Sequence, residues 1–465
     1  MTRLAVVGGG IAGLAAAWFA AEAGWDVTVV EASGRVGGKL LTGTVGDIAV
    51  DLGAEAMLAA RPEGLALLDA AGLGADRISP VTTAARIRAG GRTHALPART
   101  MLGIPGDVDA LRESGALSPE ALDLVAGEPS RPPLAPLSGD VAVGALVRER
   151  LGDEVADRLV EPLLGGVYAG SADRLSLRAT IPKLADRLAG GGSLLRHAGA
   201  STGAGTRVTA GAPVFASVAG GLGRLPVTLA SSGRFEVRTG WTVRSITRDG
   251  TGFVLDGGAV PAPERLRADA VIVAVPAAKA ARLVGALAPS AARELGGVEY
   301  ANLAIVSFAF DDPDGDLTPA GSGLLVGARE RLATKAVTLT SRKWPLATDG
   351  RTVLRASVGR HGESDALRLD DADLTAVVRG DLRTLLGIDA EPVDSTVTRW
   401  GGGLPQYAVG HVERIARVRA ALAAVPGLAA CGAAFDGVGV PACVASARVA
   451  VDRVLADLGG TTPAG

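Results

Sequence analysis

The stretch Leu4-Ala5-Val6-Val7-Gly8-Gly9-Gly10-Ile11-Ala12-Gly13 decides how the first part of this 465-residue chain folds. Leu4 to Val7 is a short, wholly apolar run that reads as a parallel strand buried on both faces. The next six residues are a G-x-G-x-x-G. Gly8 permits a tight turn, Gly10 lets the backbone approach a pyrophosphate, and Gly13 lets a helix pack closely on the strand. Alanine-rich sequence as far as Ala23 propagates that helix, and Gly24 ends it. The helix N-terminus offers unpaired N–H groups and the positive end of its dipole to an anion. Asp26-Val27-Thr28-Val29-Val30 is a second strand. Glu31 stands at its end, where a carboxylate accepts hydrogen bonds from both hydroxyls of an adenosine ribose. Strand, turn, helix, strand and acid in this order predict a dinucleotide held by Gly8, Gly9, Gly10, Ile11, Ala12, Gly13 and Glu31. The uncharged run from Leu4 to Ala21, preceded by Arg3, has the length of a signal peptide or membrane helix. Its four glycines, at the spacing of a phosphate-binding turn, favour the turn instead.

Composition bounds the rest. The length allows two or three domains, and 48% hydrophobic residues can fill their cores. Lys and Arg total 47 against 49 Asp and Glu, so bulk positive charge for nucleic-acid binding is absent. Cys431 and Cys443 cannot build a disulfide framework and fit neither a CxxC pair nor a zinc ribbon; a reducing cytoplasm is the simpler setting. His94, His197, His361 and His411 are scattered, and no metal site is expected. There is no G-x-S-x-G, no H-E-x-x-H and no triad, so no catalytic side chain is assigned.

A second glycine-rich pass follows Glu31: Ala32-Ser33-Gly34-Arg35-Val36-Gly37-Gly38-Lys39. Its glycines let a loop close over a pyrophosphate that Arg35 and Lys39 could neutralise. A P-loop is the look-alike, but the spacing is one residue short and Leu40 replaces its Ser or Thr. E-x-x-x-R-x-G-G after the second strand resembles the FAD-containing amine oxidase and protoporphyrinogen oxidase superfamily. Asp51-Leu52-Gly53-Ala54-Glu55-Ala56-Met57 resembles that superfamily's next flavin-contacting segment.

Four further stretches are similar to the porphyrinogen oxidases within it. They are Leu151 to Gly170 (with Glu161-Pro162 and Gly165-Gly166-Val167-Tyr168) leading into Arg178; Thr340-Ser341-Arg342-Lys343-Trp344-Pro345; Arg399-Trp400 through His411; and Gly432 through Val438-Gly439-Val440-Pro441. Within that family the chain resembles the soluble Gram-positive and actinobacterial type, which oxidises coproporphyrinogen III to coproporphyrin III for haem synthesis.

The resemblance implies non-covalent FAD. It would be held by the residues above together with Ala32, Arg35, Gly38, Lys39, Gly53, Ala54, Glu55, Ala56, Val243, Trp400, Val438, Gly439 and Val440. It implies a porphyrinogen substrate, O2 as final acceptor, a downstream ferrochelatase as partner, a cytoplasmic location and at most peripheral membrane contact. Four substrate propionates call for cations, and Arg61, Arg178, Arg342 and Lys343 are the candidates, with Tyr168 as a pocket wall. Glu55 departs from the mitochondrial protoporphyrinogen oxidases, which carry a basic residue there, so their propionate contact does not transfer directly. Protoporphyrinogen IX oxidation, an amine oxidase, a carotenoid desaturase and a non-catalytic porphyrin carrier stand as alternatives. Fifteen aromatic residues make the cage of an amine oxidase hard to build.

The implied fold class is α/β: a discontinuous FAD-binding, Rossmann-like domain (1–72, 217–280, 396–465), a mixed-sheet substrate domain (73–98, 201–216, 281–395) and a helical insertion (99–200). Glu236 to Leu255 reads as a strand meander with an Asp249-Gly250 turn. Ala270 to Pro276 reads as a strand returning to the dinucleotide sheet, and Ala304–Phe310 and Arg351–Val358 as strands of the second sheet. Pro441 opens a final helix whose apolar face is Val444, Val451, Leu455 and Leu458.

Overall fold

The computed structural model describes residues 1–202 and 213–459. Part of the expected 201–216 piece therefore lies outside the described residues. Five short strands form a wholly parallel sheet in the order Glu236–Arg238, Asp26–Val30, Arg3–Val7, Ala270–Val273, Leu428–Ala430. Val7 sits level with Val30 on one side and Val273 on the other, so the carboxyl ends of these strands share one edge. The helix Ile11–Glu22 is buried from Ala12 to Ala20. It packs on the sheet and against the helices Val440–Asp457 and Arg224–Ala230, with helix Pro62–Ala70 lying on Val440–Asp457, and its run of alanines permits that close stacking on more than one side.

The strand Glu236–Arg238 departs from the expected meander and joins the edge of the parallel sheet. The meander itself is Ser245–Asp249, Gly252–Ala259 and Ala262–Ala268. Leu458 also departs from expectation: it caps the last helix and is 39% exposed, whereas Val444, Val451 and Leu455 are buried.

A second, mixed sheet of seven strands runs Asp394–Pro405, Tyr300–Asp311, Arg351–Val358, Thr334–Thr338, Gly323–Val326, Ala85–Ala89, Arg92–Ala95. The expected boundary at 396 falls inside its first strand. Residues 396–405 pair with Tyr300–Asp311 and so belong to this sheet. Leu374, Val378 and Leu382 of helix Asp371–Leu386 cover one face, against Phe308, Leu354 and Val358. The opposite face carries the aligned pairs Ala309/Val353, Ser307/Arg355 and Ile305/Ser357. Its far end is covered by the hairpin Thr42–Val45/Ile48–Asp51 through Val45 and Val50. Asp51 then accepts from Leu222 N and Gly223 N, pinning the entry to helix Arg224–Ala230 against the hairpin.

Residues 108–202 are chiefly helical, and one buried carboxylate ties them together. Glu128 is fully buried. It accepts two bonds from Arg150 at 2.9 and 2.7 Å, one from Ser193 Oγ, and one each from Leu194 N and Leu195 N at the start of helix Leu194–Thr202. Burial pushes its pKa up, but these donors outweigh burial and hold it below the usual glutamate value.

Replacing Glu128 with Ala leaves the Arg150 guanidinium buried without a counter-charge, holding only Pro132 O, and is expected to cost about 3–5 kcal/mol. A carboxylate with a depressed folded pKa contributes stability above its unfolded pKa, about 4.3 for glutamate, and loses it as pH falls through the folded value. In urea titrations, the gap between wild type and Glu128→Gln should be full at neutral pH and narrow as pH falls from about 4.3 through the folded value. A gap that does not change with pH would remove the carboxylate from this role.

Candidate functional site

The site forms where the parallel strands end. Gly8 has φ +113°, and a Cβ there would lie 2.6 Å from Ala274 O, so only glycine makes the turn. A Cβ on Gly13 would lie 1.9 Å from Gly8 O, which brings the helix onto its own strand. Gly10 is different: a Cβ there meets nothing within 4 Å. The protein does not need glycine at position 10 for its own packing, and the open space is what a pyrophosphate requires. Ile11 is half-buried and Ala12 buried beneath it.

The second glycine-rich pass packs on the first. Gly37 N donates to Gly9 O at 2.8 Å, and Gly10 and Gly37 form a bridge. A Cβ on Gly38 would stand 3.2 Å from Gly10 Cα. The Glu31 carboxylate accepts from Gly9 N at 2.7 Å and Ser33 N at 2.8 Å. Ala32 is exposed beside it. Gly240 N to Ser33 O and Trp241 N to Glu31 O extend the edge strand alongside, and half-buried Val243 follows. Arg35 folds back on its loop, donating to Val36 O and Gly38 O, with its guanidinium 6.0 Å from the Trp400 ring.

Lys39 is half-buried with its ammonium 6.0 Å from the Tyr300 ring. Burial lowers its pKa, and the nearby Cys443 opposes the shift. Ala54 N donates to Lys39 O, and a Cβ on Gly53 would lie 2.0 Å from that oxygen and 3.1 Å from Trp400. Trp400 Nε1 donates to Leu52 O at 3.1 Å. Lys39, Gly53, Ala54 and Trp400 therefore converge, with half-buried Ala56 continuing the segment.

The C-terminal helix closes the site from the other side. Gly439 is its N-cap, preceded by half-buried Val438 and followed by buried Val440. The loop before it crosses the first helix: Cys431 Sγ lies 4.0 Å from Ala12 O, and a Cβ on Gly432 would stand 3.9 Å from Ala12 Cβ. This loop brings the C-terminal chain across the start of the first helix, where backbone N–H groups without helical partners can receive an anion.

The five substrate candidates fall into different surroundings. Tyr168 is buried, its ring 5.6 Å from that of Tyr407, which stacks on His411. Arg61 caps helix Pro62–Ala70 and pairs with Glu63 at 2.8 Å. Arg178 is exposed and pairs with Glu413. Arg342 donates to Gly315 O and Thr318 O, tying down its own neighbourhood. Lys343 pairs with Glu55, which also accepts from Arg355 at 2.7 Å. Burial raises the Glu55 pKa, but Arg355 and Lys343 together more than reverse that and keep it ionised. All four candidate cations thus have an acceptor of their own. Arg355 was not anticipated: it is buried, and Nη2 donates to Gly53 O at 2.6 Å. Its signal is a charge between Val353-Leu354 and Ala356, in the middle of the strand Arg351–Val358.

Space above Gly10, the carboxylate of Glu31 at the end of the second strand and two neighbouring helix N-termini fit a bound dinucleotide. The model of flavin-containing amine oxidoreductases matches residues 11–455. The chain belongs to that family. It is similar to a coproporphyrinogen III oxidase of Mycobacterium tuberculosis, 38% identical over 97% of this chain and 96% of that one. It is similar also to the Bacillus subtilis coproporphyrinogen III oxidase, at 31% over 97% and 98%. A crystal structure from Exiguobacterium sp. 255-15, described as a protoporphyrinogen oxidase, superposes with a TM-score of 0.86 at 33% identity, covering 98% of this chain and 99% of that one. The protein is a flavin-dependent oxidoreductase. No helix among the described residues is long and apolar enough to cross a membrane.

The glycine contacts separate two variants. Gly10→Val should keep the fold, by circular dichroism and melting temperature, and lose its flavin, by visible absorbance. Gly13→Val should damage the fold itself. Glu31→Ala should weaken flavin binding by about 1.5–3 kcal/mol, the worth of a charged hydrogen bond. Normal flavin content in Gly10→Val would overturn the assignment of this turn.

Proposed function

We propose that the protein binds FAD non-covalently and oxidises coproporphyrinogen III to coproporphyrin III, with O2 as final acceptor, in the cytoplasm. The end-to-end match to relatives named for that reaction carries the proposal. The site supports it. Gly8 to Gly13, Glu31, Ala32, Arg35, Gly38 and Lys39 would hold the adenosine and pyrophosphate, with Val243 at the adenine. Gly53 to Ala56, Trp400 and Val438 to Val440 would hold the isoalloxazine end. The bound flavin would supply a two-electron acceptor that O2 regenerates with release of hydrogen peroxide.

The protein's own task is then to bind, orient and exclude water. The N-terminus of helix Val440–Asp457 favours negative charge at the flavin end of the cleft. Non-covalent attachment agrees with the two thiols: both cysteines are buried, and burial raises Cys443 to about 11 and Cys431 further, which makes them poor nucleophiles. Free buried thiols also suit a reducing compartment.

Porphyrinogen to porphyrin is a loss of six electrons and six protons, so three O2 become three H2O2 per porphyrin formed. Side-by-side turnover of coproporphyrinogen III and protoporphyrinogen IX, followed by porphyrin fluorescence and peroxide, tests the reading. We expect three peroxides per porphyrin and a higher kcat/KM for the tetracarboxylate. Equal or better kcat/KM for protoporphyrinogen IX would reverse the substrate preference. Acid precipitation should release the flavin into the supernatant; colour retained in the pellet would contradict non-covalent binding.

A further inference from the structure

The strand Thr334–Thr338 carries an irregularity beside Arg351–Val358. Thr334 pairs with Val358 and Ala336 with Ser357, which leaves Lys335 as the extra residue of a bulge. Val337 and Val358 belong to the apolar layer under helix Asp371–Leu386, and Thr334 N donates to Asp381 of that helix at 2.7 Å. With Thr334 and Val337 both committed to that side, the bulge turns Lys335 toward the opposite face, with Ala336 and Ser357. That face is the one whose Arg355 reaches Gly53 in the flavin-binding segment. Register sets Lys335 about 10 Å along from Arg355, at roughly 3.3 Å per residue.

Helix Glu161–Tyr168 packs over this end of the sheet, and a Cβ on its Gly166 would stand 3.3 Å from Leu325 on the neighbouring strand. Lys335 is 5% exposed. Among the described residues no hydrogen bond or ion pair reaches its ammonium. Its electrostatic neighbours are Arg360, of like charge, and Glu363. Glu363 is shared: its mostly exposed carboxylate lies 3.6 Å from Arg360 Nη1. Arg360 is itself buried and donates to Val326 O at 2.9 Å. Arg360 also has half-buried Glu161 of the covering helix as an electrostatic neighbour, whereas the acid acting on Lys335 is Glu363, exposed and already shared with Arg360. Burial draws the Lys335 pKa down to about 7, Arg360 adds to the shift and Glu363 opposes it. A strand interior with a leucine here would cost nothing of this kind, and an ammonium left unpaired in such a place is unfavourable until an anion arrives.

We propose that Lys335 binds a carboxylate of the substrate, pairing with one propionate of the porphyrinogen between the sheet and helix Glu161–Tyr168. The proposal rests on the substrate reading above and supplies the cation that Arg61, Arg178, Arg342 and Lys343, each already partnered, do not present.

The test uses the full-length, flavin-loaded protein and Lys335→Met, with Lys335→Arg as the charge-retaining control. Coproporphyrin III and its tetramethyl ester, in the same detergent solution, serve as probes by fluorescence titration, beside coproporphyrinogen III turnover. Lys335→Met should raise Kd for the tetracarboxylate and KM for coproporphyrinogen about tenfold, shift kcat by less than threefold and leave the ester within twofold. Lys335→Arg should recover part of the loss. Because an uncompensated charge is removed, the Lys335→Met protein should melt at or above the wild-type temperature. Equal weakening of acid and ester, unchanged binding of the acid, or a lower melting temperature would overturn the assignment. A wild type inactive on coproporphyrinogen III would sink the substrate reading. A wild type that turns it over alongside an unaffected Lys335→Met would sink only the role of Lys335.

Discussion

The buried carboxylate of Glu55 holds the two halves of the molecule in register. It receives Lys343 from one side and Arg355 from the other, while Arg355 also reaches back to Gly53 O. The segment Gly53–Ala56 and the seven-stranded sheet are thereby joined through one ion cluster. An exposed pair would do little for stability, but a buried one is costly to break, because the surviving charge keeps its desolvation penalty. The hairpin Thr42–Val45/Ile48–Asp51 reinforces the junction with apolar contacts to Ala309 and Val353. An acid at position 55 consequently has a structural use in this chain, as the counter-charge of the sheet rather than a ligand for an anionic substrate.

Around this junction the molecule divides its labour by backbone type. Parallel strands deliver their carboxyl ends to one edge, and the loops leaving Val7, Val30 and Ala430 meet there with two helix N-termini. This edge is suited to phosphates and to developing negative charge. The mixed sheet instead offers a face, on which the polar Ser307, Arg355 and Ser357 stand among the apolar Ile305, Ala309 and Val353. A face of that kind can line a broad, flat ligand, which a cluster of loop ends does less well. The helices of residues 108–202 reach the end of this sheet away from the hairpin, through helix Glu161–Tyr168, and are tied together by the buried Glu128–Arg150 pair.

Much of this was legible in the chain because the informative signals are local. Gly8, Gly13 and Gly53 each sit where a Cβ would strike a carbonyl oxygen within three ångströms, so the motif reports a real backbone constraint. Glu31 follows its strand directly, and its position relative to the turn is set by a single helix. Helix and strand periods placed Ala270–Val273, Arg351–Val358 and Val440–Asp457 for the same reason. The short strand Glu236–Arg238 carries no such signal: three residues have no period, and only its alignment beside Asp26–Val30 makes it part of the parallel sheet.

The sequence by itself determined the turn, the acid at the end of the second strand, the second glycine loop and the family, since each depends on residues close together in the chain or on ordered motifs. Only the tertiary structure decided which charges are spent and which are free. Arg178, Arg342 and Lys343 looked alike as cations, yet their partners Glu413, Thr318 and Glu55 lie 235, 24 and 288 residues away. Lys335 gained its place from a bulge, a register shift invisible in the residue order. A charge is defined by what surrounds it, and in this fold those surroundings come from distant strands meeting across one sheet face.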